Sequence, residues 1–417
     1  MPEVLAVLLG FAIMGTLLIL RLPIWVALIA TATATSVIAS GVEGIINMFT
    51  LTTIDTTTLN LLIITLLIAV FINLYKNTGY IDYLSRELIK VLKKARLALA
   101  LIPAILGLLP VAGGALMSAP IVDSIGNSIG LRRDSKLFIN VWYRHVISLF
   151  YPISNVMILT AALSGVSVWE IAYRQLPVAA VMITAGLIIG FRRESSRHQL
   201  DEITKACEVP DFTLLIKAFT PIIVAVSLSI ALTPVVNYVT IAQFQGQSLS
   251  IVIGVALALL TLLLLSMPRK DVFLNSLLNK NTAELVLAAY GAMLLRTAFI
   301  RAGIGSIISG TLSGFVSPSF LAISLPAALA FITGTSLGSI AISLPILGSL
   351  TDLTPSLTAL VYTSAFSGYL PSPLHLCYVY TAQYLKISPT AGYKYMIPAI
   401  ALVMFAAYGI YVLAASS

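Results

Sequence analysis

Twice in this chain a glycine-rich break and a proline fall inside sequence otherwise apolar enough to cross a bilayer, and the two interruptions match. The first is VAGGALMSAPIV, Val111 to Val122; the second is ITGTSLGSIAISLPIL, Ile332 to Leu347. At one constant offset Gly113 pairs with Gly338, Ser118 with Ser343, Pro120 with Pro345 and Ile121 with Ile346. A second register follows in the same order, pairing Pro152 with Pro373, Thr160 with Thr381, Ala161 with Ala382, Ser167 with Ser388 and Pro177 with Pro398. The two halves therefore read as a duplication. Interrupted apolar segments at corresponding positions of two halves are the best sequence pointer to a transport site in a membrane protein.

The composition leaves no room for a soluble fold. Only 10% of the residues are charged and 59% are hydrophobic, where a soluble domain carries about 25% charge. Unpaired backbone polar groups are not tolerated in lipid, and the apolar runs are of helical rather than barrel-strand length, so the spans are helices. The net charge of +8 does not indicate nucleic acid. Most Lys and Arg punctuate short loops between spans, where they set orientation. The start, MPEVLAVLLGF, lacks a basic leader segment and reads as a retained first span. Cys207 and Cys377 form neither a disulfide framework nor a metal-ligand spacing.

In chain order, the first half (1–191) opens with scaffold spans over 4–39, divided by Arg21 on the cytoplasmic side, which puts the N-terminus outside. The uncharged, Thr-rich LTTIDTTTLN (Leu51 to Asn60) reads as an external loop before a span over Leu61 to Tyr75. Residues 76–96 have helical apolar spacing and six Lys or Arg, the pattern of an amphipathic helix at the cytoplasmic interface. Residues 97–129 make two segments too short to cross, flanked on both sides by cations. They predict a re-entrant hairpin with its tip near Ala112 to Gly114. A span over 137–164 is broken at Pro152, and another returns to the basic FRRESSRH, which begins a cytoplasmic linker, 192–212.

The second half (213–417) repeats this plan: scaffold spans over 213–266, an interfacial helix over 298–312, a hairpin over 320–350 and a broken span over 356–385 with Pro371 and Pro373. The segment after the second hairpin, LTDLTPS, has no Lys or Arg, so this hairpin opens outside and the halves are inverted. The prediction is an all-α polytopic membrane protein of about ten transmembrane helices plus two re-entrant hairpins in two inverted-topology repeats, with both termini outside the plasma membrane.

At a tip or a break the backbone loses its i to i−4 partners, and half-helix N-termini offer partial positive charge while free carbonyls attract cations. Four such ends near the midplane suit an anion and a coupling cation. The candidates are Gly113, Gly114 and Ser118 at the first tip, and Thr333, Gly334, Thr335, Ser336, Gly338 and Ser339 at the second. Ser154 and Asn155 follow the first break; Ser372 and His375 flank Pro373. Asp123 joins them as a costly intramembrane charge. Competing readings stand beside these: glycines that permit close helix packing, hydroxyls that bond their own helix, a structural His375, and Arg144 with His145 either at depth or snorkelling. Arg296 and Arg301 read as interfacial. No P-loop or HExxH occurs and no paired aspartates, which argues against an ATPase and a membrane hydrolase. An ion channel is the main alternative to a carrier, but inverted halves suit alternating access better than a rotationally repeated pore.

Taken together, the interfacial helices, the Gly/Ser/Thr-tipped hairpins and the Pro-broken spans resemble the ion transporter superfamily, which includes divalent anion/sodium symporters, gluconate permeases and C4-dicarboxylate carriers. AGG and TGTS stand at the tips where the divalent-anion branch carries Ser-Asn-Thr triplets, and PISN and PSPLHL stand at the breaks. That sets the chain on a branch apart. The resemblance implies secondary transport of a small organic anion coupled to Na⁺ or H⁺, with no other cofactor. It also implies an elevator-like transport domain moving against a homodimeric scaffold made from 4–39 and 213–266. The expected partners are this anion, the lipid bilayer and a second copy, with no nucleic acid.

Overall fold

The structure, a computed structural model, describes residues 9–10, 12–17, 20, 22–92, 94–108, 115–192, 209–239, 246–303 and 317–416. Among these the fold is helical with no strand, and eight helical stretches are long and apolar enough to cross a membrane. The protein is an all-α polytopic membrane protein. Two predicted spans are not among the eight. Residues 4–20 lie largely outside the described residues, and 356–385 is divided into two shorter helices.

We number the helices α1 (Ile24–Ile54), α2 (Thr56–Asn77), α3 (Tyr80–Val91), α4 (Ala95–Gly107), α5 (Ala115–Ser128), α6 (Arg133–Phe150), α7 (Asn155–Ser164) and α8 (Val168–Gly190). The second half supplies α9 (Phe212–Val239), α10 (Gly246–Ser266), α11 (Lys270–Leu277), α12 (Lys280–Arg301), α13 (Pro318–Thr333) and α14 (Ser336–Leu350). It ends with α15 (Pro355–Tyr369), α16 (Leu376–Tyr384) and α17 (Tyr393–Ser416).

The Thr-rich piece expected as an external loop is helix on both sides of Asp55. The Asp55 carboxylate accepts from the Thr58 N–H at 2.9 Å and from its hydroxyl at 2.8 Å, capping α2. Such a cap contributes about 1 kcal/mol, so a single non-helical residue suffices as the joint. Within α1 the predicted span over 23–39 is the first limb. It ends at Gly41, whose φ of 64° belongs to the left-handed region that favours glycine.

The amphipathic α3 buries Leu84 and Leu88 and, beside them, Glu87. Glu87 accepts from the Asp211 N–H at 2.8 Å and pairs with Lys90 at 3.0 Å. Those two donors hold its carboxyl below the usual carboxylate range. This ties the amphipathic helix to the end of the predicted linker, of which residues 193–208 lie outside the described residues. The predicted second interfacial helix, 298–312, coincides with the end of α12 and then with 304–316, also outside them.

Two packed bodies result. In one, α1 lies along α12, α9 along α10, and α2 against both α10 and α12. In the other, α4 packs on α6, α6 on α8, α13 on α14 and α15, and α17 on α8 and α15. Inside this second body the halves cross over. Helix α7, after the first break, packs on α14 of the second hairpin, while α16, after the second break, packs on α5 of the first. Each hairpin's first arm also meets a broken helix at backbone contact. A Cβ at Gly107 of α4 would fall on the Arg144 carbonyl of α6, and one at Gly368 of α15 on the Ala327 carbonyl of α13. Large apolar side chains such as Leu264, Phe405 and Leu413 point outward, as a lipid-facing surface requires.

Candidate functional site

The second hairpin turns at Gly334, in the left-handed conformation with φ 68°, where a Cβ would collide with Leu374. Beside this contact the Ser372 hydroxyl donates to the Phe331 carbonyl at 2.6 Å and accepts from the Leu374 N–H at 3.2 Å. The second tip and the second break are therefore latched together. Thr333 bonds its own helix through Leu329 O at 2.7 Å, and Ser339 donates across the hairpin to Pro326 O at 2.6 Å. Both hydroxyls are occupied in holding the hairpin. Ser336 is buried in the first turn of α14.

Thr335 precedes α14 and makes no side-chain cap to it. Thr335 and Gly338 line a cavity of about 400 Å³ whose other walls are the start of α1 (Ile24, Trp25), the end of α2 (Asn73, Lys76, Asn77) and the start of α12 (Asn281, Thr282, Glu284). The cavity sits at the seam between the two packed bodies. Asn73 donates to Ser276 O at 3.1 Å and Thr282 Oγ1 at 2.9 Å, and Asn77 to Ser276 Oγ at 2.9 Å. These bonds order the amide wall. The α14 N-terminus and Lys76 give the cavity positive potential, offset in part by Glu284.

At the first break Ser154 accepts from the Met157 N–H at 3.1 Å, capping α7, and also bonds the Tyr362 hydroxyl. Tyr362 in turn donates to Ser148 O at 2.7 Å, so α15 grips both sides of the break. Asn155 is buried, and its Oδ1 has no partner among the described residues. Gly113 and Gly114 lie outside the described residues. Ser118, just inside α5, donates to Asn140 Oδ1 at 2.6 Å. Asn140 is fully buried and its Nδ2 donates to Ala115 O at 3.0 Å and to Thr381 Oγ1 at 2.9 Å, joining α5, α6 and α16. Sequence reasoning did not single out Asn140; its only advance signal is an amide in an apolar span.

Asp123 has a structural partner. Lys136, whose side chain is 1% exposed, pairs with it at 2.8 Å and also bonds Asn127. Only the lysine is buried: the Asp123 side chain is 33% exposed, and Asn127 remains as a second partner of Lys136. Asp123→Asn is thus expected to lower stability by about 1–2 kcal/mol, read as a fall in the melting temperature of the purified protein. Unchanged melting would mean that Lys136 is compensated elsewhere.

Arg144 and His145, left open as interfacial or deep, are both buried. The His145 ring lies 4.8 Å from that of His375 and 5.4 Å from that of Tyr369, and His375 lies 3.9 Å from Tyr369. Cys377, for which the sequence offered no ligand spacing, hydrogen-bonds His145. Ligand atoms of His145, His375 and Cys377 all fall within 4.8 Å of one another, the arrangement among the described residues that could hold a metal ion. The cluster joins residues more than two hundred positions apart, so no sequence spacing announces it.

The fold is similar to the solved structure of MtrF from Neisseria gonorrhoeae, described as illuminating a class of antimetabolite efflux pumps. The likeness covers 93% of this chain and 94% of that one at 13% identity, with a TM-score of 0.52. No curated protein matches the sequence. With a match running over residues 3–414, nearly its whole length, the chain belongs to the family DUF401, described as Protein of unknown function.

Proposed function

We propose that the protein is a secondary active transporter of a small organic anion of the carboxylate type, driven by Na⁺ or H⁺. The observation that carries this reading is the cavity at the seam. One wall belongs to the body of α1, α2 and α12 and the other to the tip of the second hairpin, so relative movement of the bodies would open and close it. Its free helix N-terminus, Lys76 and amide side chains suit a carboxylate. The crossed packing of α7 and α16 supports an inverted repeat, the arrangement of the ion transporter superfamily. On that reading α4–α8 and α13–α17 form the moving unit. The scaffold of 4–39 and 213–266, joined by α2 and α12, is where a second copy docks in an elevator-like homodimer. The likeness of fold to an efflux pump favours a carrier over a channel.

The test is the melting temperature of the detergent-purified chain across a panel of small carboxylates and other oxyanions, each with Na⁺, with K⁺ and at two pH values. A ligand that binds the native state raises it by mass action. We expect one anion class to do so, with a shift that needs Na⁺ or falls with rising pH. Lys76→Gln should weaken that ligand about tenfold, a loss of about 1.4 kcal/mol, while Lys270→Gln, exposed on α11, leaves it unchanged. A panel without any shift, or full affinity in Lys76→Gln, would sink the proposal.

A further inference from the structure

The crossing point of the two halves carries chemistry that anion transport does not need. His145 sits in α6, before the first break; His375 and Cys377 sit at the start of α16, after the second. All three are buried, and His375 is completely so. His145 Nδ1 lies 2.7 Å from the Val141 carbonyl and His375 Nδ1 lies 3.1 Å from the Leu370 carbonyl. A carbonyl only accepts, so each Nδ1 carries the proton and donates it. Each Nε2 is then left with a lone pair. A backbone carbonyl that fixes the tautomer and aims the remaining nitrogen is the usual outer support of a metal-ligating histidine.

What those lone pairs meet differs between the two rings. His145 shares a hydrogen bond with the Cys377 sulfur. His375 Nε2 is buried with no partner at all among the described residues. An orphaned acceptor at full burial is destabilising, a cost that binding something electron-poor would remove.

We propose that His145, His375 and Cys377 form a buried three-ligand site for a soft transition-metal ion of the zinc and copper(I) class, clamping α6 to α16 across the two halves. Two imidazoles and a thiolate are the donor set that selects such ions over Mg²⁺, Ca²⁺ or Na⁺. The step is a proton exchange: the ion replaces the thiol proton of Cys377, forming the metal–sulfur bond and releasing the proton to solvent. Metal–nitrogen bonds of about 2.0 Å and a metal–sulfur bond of about 2.3 Å require the three atoms, now within 4.8 Å of one another, to draw in by about 1 Å. The nearby Arg144, which acts electrostatically on both His375 and Cys377, favours the monovalent ion over the divalent one. This inference is independent of the transport reading, since a site that holds α6 to α16 is equally useful in a channel.

The experiment uses the full chain carrying Cys207→Ser, in which Cys377 is the remaining cysteine of the two. Protein is purified from cultures supplemented with Co²⁺, Zn²⁺ or copper, so the ion has access during folding, and its metal content is counted. We expect one ion per chain, a thiolate-to-cobalt charge-transfer absorption in the cobalt form, and at least tenfold slower maleimide labelling of Cys377 in the zinc or copper form. Cys377→Ser should abolish the absorption while its metal-free melting temperature stays near that of the parent, and His375→Ala should weaken cobalt at least tenfold. Preference between zinc and copper(I) is read from competition. Less than a tenth of an ion per chain in all three preparations would overturn the proposal. So would a charge-transfer band that survives both His145→Ala and His375→Ala, because the sulfur would then be binding metal outside this site.

Discussion

Gly368→Val is expected to prevent accumulation of the folded protein. At this position α15 and α13 touch backbone to backbone, and a side chain would have to occupy the Ala327 carbonyl. A helix backbone cannot step aside locally as the end of a flexible side chain can. The two helices would have to separate along their length, emptying the contacts that surround them. Overpacking a well-filled interior costs about 1–3 kcal/mol, and with the seam forced open we expect Val to exceed 3 kcal/mol and Ala to approach it. Gly107→Val should behave alike, since its obstacle is the Arg144 carbonyl of α6. The comparison is Gly409→Ala in α17, where a Cβ meets nothing within 4 Å. Monodispersity and melting temperature of the detergent-extracted variants decide it. If Gly368→Val is as stable and monodisperse as Gly409→Ala, the close approach is not real.

The second large effect is expected from Asn140→Leu, which keeps the branched shape, removes the polarity and adds some bulk. Asn140 accepts from Ser118 and donates to Ala115 O and Thr381, so three elements lose a shared member at once. Ser118 and Thr381 retain bonds to their own helices, at 3.3 Å to Ala115 O and 2.7 Å to Cys377 O. The loss is therefore close to three neutral hydrogen bonds, about 3 kcal/mol in all, rather than the larger penalty of stranded groups. Thr381→Val alone should cost about 1 kcal/mol, and the double variant little more than Asn140→Leu, because both remove the same bond. Strict additivity of the two would show that Thr381 does not depend on Asn140.

The parts of this molecule that were legible in sequence are those governed by local chemistry. The membrane class follows from composition and the length of the apolar runs, and the turn at Gly334 and the amphipathic α3 from a few consecutive residues. So does the paired disposition of Pro152 and Pro373 at the breaks. Asp55 was legible too and was passed over: an Asp followed by TTT is a helix start, yet the polar run reads as a loop if only its hydrophilicity is weighed. Burial was not legible. Arg144, at 4% exposure, occupies a position where snorkelling to an interface was equally available. Least accessible were the meetings of distant residues. Asn140 finds Thr381, and His145 finds Cys377, only because α16 crosses to the other half, and helical periodicity carries no information about which neighbour a helix chooses. Asp123, singled out for its unusual position, pairs with Lys136 of α6, another meeting between helices that the sequence did not announce.

The crossover has a consequence for how the molecule is made. While the ribosome is still extending the chain, the first hairpin has been delivered to the membrane without the helix that will cover α5, because that helix is α16, near the far end. The first half must therefore wait as an incomplete insert, holding open a vacancy for a segment not yet synthesised. Fragments ending before α16 should be recognised by membrane quality-control proteases as unfinished, and a nascent chain stalled there should be the species most in need of a chaperone. Two separately expressed halves should rescue one another, since each carries the missing wall of its counterpart.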